Sequence, residues 1–200
     1  MGGKISTSNN FPVRSESIEF LISCMKIAMP NATGEVFRWT PKIREEGLKE
    51  SRDSPRKRMI LPIHRDQSAL VQRMVNFLQP GTFVRPHCHP REWASETMHV
   101  IEGALGFVIF TETGEIAEAM RLGSGEWVDI EAKVWHGVLA LEPDTIILEV
   151  KRGPYDDEDK QFAEWAPDES DPGSDAYREI LEEAVASLAT ASEPSVRKPG

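Results

Sequence analysis

The sequence has only two cysteines, Cys24 and Cys88, so it lacks the disulfide framework of small secreted domains. No apolar run approaches the roughly 18 residues that a membrane-spanning helix needs. Residues 1–10 contain no apolar stretch typical of a secretory signal. These absences predict a reduced, cytoplasmic protein without a membrane span. Residues 1–6 fit the short pattern for myristoylation at Gly2, and the sequence leaves that modification open.

Basic residues are also scarce, with 23 Lys and Arg against 33 Asp and Glu and a formal net charge of −10. A protein that binds a phosphate backbone needs a basic face, so the negative net charge predicts no nucleic-acid partner. The basic run at residues 52–58 is surrounded by acidic residues and does not alter that prediction. The length of 200 residues suits one domain with its own hydrophobic core.

Short apolar runs separated by turn residues follow one another over residues 59–151. Many short strands without intervening helices predict an antiparallel sandwich or barrel. Residues 105–110 and 146–150 are apolar at nearly every position, so we expect both of their faces to be covered.

Helical patterns flank this β-rich region. Apolar spacing predicts a short helix that starts near residue 15 and ends before Pro30, and another over residues 175–188. Thr40 as an N-cap followed by Pro41 predicts a helix over residues 42–51. The chain is therefore predicted to comprise a disordered N-terminus (1–14), a helical extension packed on the barrel (15–57), the barrel (58–155), a loop and helix (156–190) and a disordered tail (191–200).

Four of the five histidines lie between residues 87 and 136. Side chains alternate along a strand, so His87 and His89 share one face while Cys88 points to the outer layer. Two imidazoles on one face can reach a common metal ion. Glu96 begins the next predicted strand and His136 begins a later one. The competing interpretation is a set of ordinary strand residues whose histidines bond the backbone.

The order of these residues resembles the two cupin motifs. Gly81, the His87/His89 pair, Glu96 and Gly103 follow the first motif, although the six residues between His89 and Glu96 are more than usual. Gly125 and His136 follow the second motif, whereas Glu131 and Lys133 stand where proline and glycine are expected. The resemblance implies one metal ion bound by His87, His89, Glu96 and His136.

A closer resemblance, to the WbuC-type cupin-fold metalloproteins, covers about residues 53 to 170. It is carried by residues 54–56, 61–64, 71–74, 79–81, 135–136, 139–143, 149–155 and 162–167. The resemblance implies an all-β fold, a cupin-type antiparallel β-barrel (double-stranded β-helix, or jelly roll) with short N-terminal helices and a C-terminal helix. It also implies a homodimer, and it leaves the reaction open.

The predicted cofactor is one divalent transition metal. Three imidazoles and a carboxylate leave open positions on six-coordinate Fe, Mn or Ni. The same four ligands would fill the coordination sphere of four-coordinate Zn, which would then have a structural role. The predicted function is that of a metal-dependent oxygenase, lyase or isomerase acting on a small polar or anionic substrate, with sugar-related compounds included. The alternative is a non-catalytic, metal-dependent module that binds or senses a small-molecule ligand.

Three further side chains are candidates for the chemistry. His64 could contact the substrate as an acid or base, or it could be a hydrogen-bonded strand histidine. Arg85 shares strand parity with His87, so it could bind an anionic group or form an internal salt bridge, and Arg73 carries the same ambiguity. His99 has the opposite parity to Glu96 and is expected to face away from the metal.

Overall fold

The computed structural model of the chain describes residues 26–191, which form two helices and ten strands. The helices are α1 (Pro41–Asp53) and α2 (Ser174–Ala191). The strands are β1 (Arg58–Pro62), β2 (Val71–Leu78), β3 (His87–Cys88), β4 (Glu96–Glu102), β5 (Ala104–Phe110), β6 (Ile116–Gly123), β7 (Trp127–Ile130), β8 (Trp135–Ala140), β9 (Thr145–Arg152) and β10 (Gln161–Phe162). No helix among these residues is long and apolar enough to cross a membrane.

The strands form two five-stranded antiparallel sheets, ordered β1-β2-β9-β4-β7 and β10-β3-β8-β5-β6. When the edge strands β1 and β10 are set aside, each sheet keeps four strands. The eight remaining strands, from β2 to β9, then follow the order of a jelly roll built from two Greek keys, and the chain changes sheet at every connection except the one between β5 and β6. This strand order confirms the predicted cupin-type double-stranded β-helix.

The inner faces of the two sheets enclose the main core of the barrel. Buried side chains from both sheets, among them Met98, Val100, Phe107, Val138 and Ile147, pack there. Because strand residues alternate, Glu96 shares the inner face with Met98 and Val100. The barrel interior is therefore apolar over most of its depth, with the polar residues gathered toward one end.

The helices cover the outer faces of the sheets. Leu181 and Val185 of α2 pack against Val108 and Phe110, so the second sheet is covered on both sides. On the first sheet, α1 packs Leu48 against a separate buried cluster. This arrangement explains why both faces of the central strands are apolar.

Helix α1 begins and ends where its sequence signals predict. The Oγ1 of Thr40 accepts the N–H of Ile43 at 3.4 Å, and Pro41 occupies the first turn, where its missing N–H leaves no bond unmade. Gly47 of α1 lies directly on the ring of Phe77, which is fully buried and stacks on Trp39 at 6.0 Å. The helix therefore approaches β2 through a position that has no side chain.

Gly47→Ala is expected to destabilise the protein, although alanine favours a helix over glycine by about 1 kcal/mol. A Cβ at Gly47 would lie 2.1 Å from Cζ of Phe77, and the buried ring has little space to retreat. Overpacking of this kind costs about 1–3 kcal/mol, which outweighs the gain in helix propensity. Urea unfolding measures the change, with the exposed Lys42→Ala as control. A Gly47→Ala protein more stable than the parent would contradict the expectation.

Several predicted boundaries differ from the observed ones. Residues 26–29 are not helical: the N–H of Met29 donates to the carbonyl of Ile60 at 2.7 Å, and Ala28 bridges the same residue. A residue before proline disfavours helix, and the edge of β1 offers this segment a partner. The rest of that predicted helix, and the termini at 1–14 and 192–200, lie outside the described residues.

The second sheet also extends past residue 155, the predicted end of the barrel. Strand β10 pairs with β3, and the N–H of Ala163 donates to the carbonyl of Pro86 at 2.9 Å. Residues 82–86, predicted as a strand, have no regular structure. The segment after β9 therefore lies against the predicted metal ligands of β3 instead of leaving the barrel.

Candidate metal centre

Four buried side chains meet at the polar end of the barrel. His87 on β3 lies directly opposite His136 on the neighbouring strand β8. His89 follows β3, and Glu96 begins β4 in the facing sheet. One ligand atom from each of the four residues lies within 4.8 Å of the others, and all four side chains are buried. The fold thus gathers the residues that the sequence pattern predicts as ligands.

The backbone fixes how each of the three imidazole rings is oriented. In each ring Nδ1 contacts a main-chain carbonyl oxygen, which assigns the ring proton to Nδ1. The pairs are His87 with Arg85 at 3.0 Å, His89 with Asp159 at 2.7 Å and His136 with Val134 at 2.9 Å. Each Nε2 therefore presents a lone pair to the centre of the cluster, as a metal ligand must.

Two members of the cluster, His87 and Glu96, have the charge state that a metal ion requires. Burial lowers the pKa of His87 well below its usual range, so this imidazole stays neutral. Burial by itself raises the pKa of Glu96, but the close contacts with His136 and His89 outweigh burial and hold that pKa well below its usual range. Neutral imidazoles and an ionised carboxylate are the forms that bind divalent metals.

The contact between the imidazole nitrogens and the carboxylate is unfavourable unless a positive charge lies between them. Nε2 of His89 lies 2.9 Å and Nε2 of His136 lies 3.5 Å from Oε2 of Glu96. With the ring protons on Nδ1, both nitrogens face the carboxylate with lone pairs. Nε2 of His136 is buried and has no hydrogen-bond partner within residues 26–191. A metal cation at the centre would satisfy all of these atoms, so the donor set fits such an ion.

A cavity of about 150 Å³, called the inner cavity below, opens onto His87 and Glu96. Its polar wall includes Asn76, Glu149 and Lys160. Nδ2 of Asn76 donates to Oε2 of Glu149 at 2.8 Å. Burial raises the pKa of Glu149 to about 7, and the negative charge of Glu96 adds to this effect. Burial lowers the pKa of Lys160.

The side chain of Lys160 forms no ion pair in the described part of the chain, although Glu149 and Glu96 lie near enough to favour its charge. No carboxylate oxygen in the described part of the chain lies within 4.0 Å of its Nζ, and its nearest ring contact is Phe162 at 5.9 Å. Arg58, on the far wall, is different, because Glu169 binds its Nη2 through both carboxylate oxygens at 2.6 Å. Lys160 is therefore the cation that remains available to a ligand beside the cluster.

The three other predicted candidates occupy different places. His64 is buried and lines a neighbouring cavity. Arg73 is exposed, on the opposite face of β2 from the cavity-lining Asn76, so the structure does not bring it to the site. The guanidinium of Arg85 donates to the carbonyl of Ala163 from Nε at 3.0 Å and ion-pairs with Asp168, away from both cavities. Strand β3 begins only at His87, so the strand parity assumed for Arg85 does not apply.

The sequence interpretation missed the polar residues around the cluster. Asn76 and Glu149 carry a usable signal, because each is a polar residue at inward parity within an apolar strand. Asp159, whose carbonyl fixes His89, and Lys160 carry no such signal. They lie beyond the predicted barrel, in the segment that returns to pair with β3.

The fold and the site together define a cupin-fold protein with a buried His/Glu cluster suited to a metal ion. A family model described as a domain of unknown function (DUF6016) matches residues 41–122, less than half of the chain. The matched residues include His87, His89 and Glu96 and end before His136. The search of curated proteins found no match.

Several solved structures are similar to the chain. KdgF from Halomonas sp. has 21% identity over 50% of this chain and 82% of its own, with a TM-score of 0.41. A Klebsiella pneumoniae protein with a double-stranded β-helix domain has 17% identity over 66% of this chain and 99% of its own, with a TM-score of 0.48. Lactobacillus farciminis oxalate decarboxylase has 18% identity over 46% of this chain and 26% of its own, with a TM-score of 0.39. These scores are low, so the fold assignment rests on the strand order described above.

Proposed function

We propose that the protein is a metal-dependent enzyme that acts on a small polar or anionic substrate. His87, His89, Glu96 and His136 would hold one divalent transition metal, and the substrate would occupy the inner cavity. The proposal rests on one observation: the cavity that opens onto His87 and Glu96 also presents Lys160, a cation with no carboxylate within 4.0 Å in residues 26–191.

The residues around the inner cavity have separate roles in this proposal. A bound metal ion would supply Lewis-acid chemistry. Lys160 binds an anionic group of the substrate, and Asn76 holds Glu149 in place through its 2.8 Å hydrogen bond. With a pKa of about 7, Glu149 can take up or release a proton at its carboxyl oxygens near neutral pH. Apolar residues such as Met98 and Val138 complete the wall and limit water.

The same site would serve the non-catalytic alternative, a module that binds or senses a small ligand through the metal. Turnover of the bound ligand separates the two functions. We further propose a WbuC-type relationship, a homodimer, a cytoplasmic location and no nucleic-acid partner. The distributed sequence resemblance supports the first two, and the cysteine usage and net charge of −10 support the others.

Lys160→Met is expected to raise KM for an anionic substrate about tenfold or more, because it removes the charge that binds the anionic group. The metal content should stay that of the parent protein, since Lys160 is not a ligand. NMR time courses with hydroxy acids, keto acids and sugar phosphates, after loading with Fe, Mn, Ni or Zn, would first identify a substrate. Lys49→Met, on the exposed face of α1, is the matched control.

Two results would contradict the enzyme proposal. A metal-loaded protein that binds but never converts any of these compounds would favour the binding module. An unchanged KM in Lys160→Met would remove the observation on which the proposal rests.

A further inference from the structure

A second and larger cavity of about 410 Å³, called the outer cavity below, adjoins the inner one. The two share wall residues, including Ile60, Glu149 and Lys160. Lys160 therefore stands at the junction between the space beside the metal ligands and the outer space. A ligand that reaches the cluster through this junction would leave part of its length in the outer cavity.

His64 lines the outer cavity, and its ring has a polar atom that lacks a partner among the described residues. The side chain is 2% exposed, and within residues 26–191 no hydrogen-bond partner reaches its Nε2. A buried polar atom without a partner destabilises the fold unless a ligand or water satisfies it. A ligand group in the outer cavity, or a water molecule, would satisfy this atom.

The hydrogen bonds on the other side of the ring show what His64 would bind. Nδ1 lies 3.1 Å from the N–H and 2.8 Å from the carbonyl oxygen of Arg73. That carbonyl already accepts the backbone N–H of Ile63 at 2.8 Å and of His64 at 3.3 Å. We therefore assign Nδ1 as the acceptor of the Arg73 N–H, which places the ring proton on Nε2. This tautomer is opposite to that of the metal-ligand histidines, and its Nε2 donates a hydrogen bond.

The charges around the outer cavity favour an acceptor that is negative. Lys151 and Lys160 both line it, and in the described part of the chain neither Nζ lies within 4.0 Å of a carboxylate oxygen. The acidic residues Glu149, Asp156 and Asp159 also line it. Arg91 ion-pairs with the two aspartates at 2.6 and 2.9 Å, and Glu149 accepts a hydrogen bond from Asn76 at 2.8 Å. The cavity thus combines a buried N–H donor with two cations that form no ion pair in the described part of the chain.

We propose that the outer cavity is an anion site that holds a carboxylate or phosphate group of the substrate, bound by His64 Nε2–H, Lys151 and Lys160. The assignment of this group to a substrate rests on the proposed function. The substrate is then a small molecule whose anionic group lies beyond the junction at Lys160, while its reacting group lies in the inner cavity. The metal ligands face that other end and not the anionic group.

His64→Asn tests the site with the least disturbance of the fold. The Oδ1 of asparagine can still accept the Arg73 N–H, but no donor remains where Nε2 was. Inorganic phosphate and malonate serve as probes, and calorimetry on the full-length protein measures their affinity with and without bound metal. Both probes carry acceptor oxygens, and the tighter one shows whether phosphate or carboxylate is preferred.

We expect His64→Asn and Lys151→Met each to weaken binding of the preferred probe about tenfold. His99→Asn, on the opposite face of β4 from Glu96, should bind it as the parent does. The anion site is overturned if the parent binds neither probe, or if His64→Asn binds as tightly as the parent. Loss of anion binding in His64→Asn supports the site even in a protein that takes up no metal, in which case the proposed function fails alone.

Discussion

His136→Ala is expected to weaken metal binding by more than about 100-fold, because loss of a direct ligand exceeds the 10- to 100-fold effects of outer-shell changes. The ring of His136 is 0% exposed and its centroid lies 4.5 Å from that of His87. Its Nε2 is one of the buried atoms for which residues 26–191 supply no hydrogen-bond partner. Alanine would leave the proposed metal ion with three protein ligands instead of four.

Elemental mass spectrometry of purified protein measures this effect directly. We expect about one equivalent of metal per chain in the parent, as one cluster implies, and none in His136→Ala or in the His87→Ala/His136→Ala double variant. His99→Ala is the matched histidine control and should retain the metal. Iron, manganese or nickel would favour the enzyme proposal, and zinc would favour a structural or hydrolytic role. A parent protein that takes up no metal, even after reconstitution, would contradict the assignment of the four-residue cluster as a metal centre.

Phe107→Ala is expected to lower the free energy of unfolding by about 3–5 kcal/mol, the range for a large aromatic side chain removed from a core. Phe107 is 2% exposed and belongs to the cluster between the two sheets. Its ring also stacks on that of His136, with centroids 5.7 Å apart and planes 18° apart. The substitution would create a cavity directly beneath a metal ligand.

Urea unfolding of chelator-treated protein measures the stability loss without any contribution from bound metal. Phe162→Ala is the matched aromatic control, because Phe162 is 45% exposed on the edge strand β10, and it should lose far less stability. Equal losses in the two variants would show that Phe107 does not pack as described. In metal-loaded protein, Phe107→Ala should also bind the ion more weakly, since the ring of His136 loses its support.

The parts of the molecule that follow from local patterns could be predicted from the sequence. Strand alternation explains why the predicted ligand set coincides with the cluster that the structure gathers, and why His99 does not join it. The cap at Thr40 fixes the start of α1 in the same way. Alternation and capping each depend on residues a few positions apart, whose geometry the backbone sets.

The rest depends on contacts between distant segments, which local patterns do not contain. Arg85 turns toward Ala163 because β10 pairs with β3, and nothing near Arg85 in the sequence indicates that pairing. His64 is among the predicted candidates, and the role proposed for it depends on Arg73, which meets it across the β1–β2 connection. Lys160 looks like an ordinary loop lysine until the fold places it beside Glu149.

The short segment from Asp159 to Phe162 serves three structures at once. Its first carbonyl holds the ring of His89, Lys160 separates the two cavities, and its last two residues lengthen a sheet. The eight strands β2 to β9 alone therefore lack a contact that orients the His/Glu cluster. A fragment ending at residue 155 would keep all four ligand side chains but lose the contact that orients one of them. Evolutionary or engineered exchange of barrels in this architecture must carry the returning segment along.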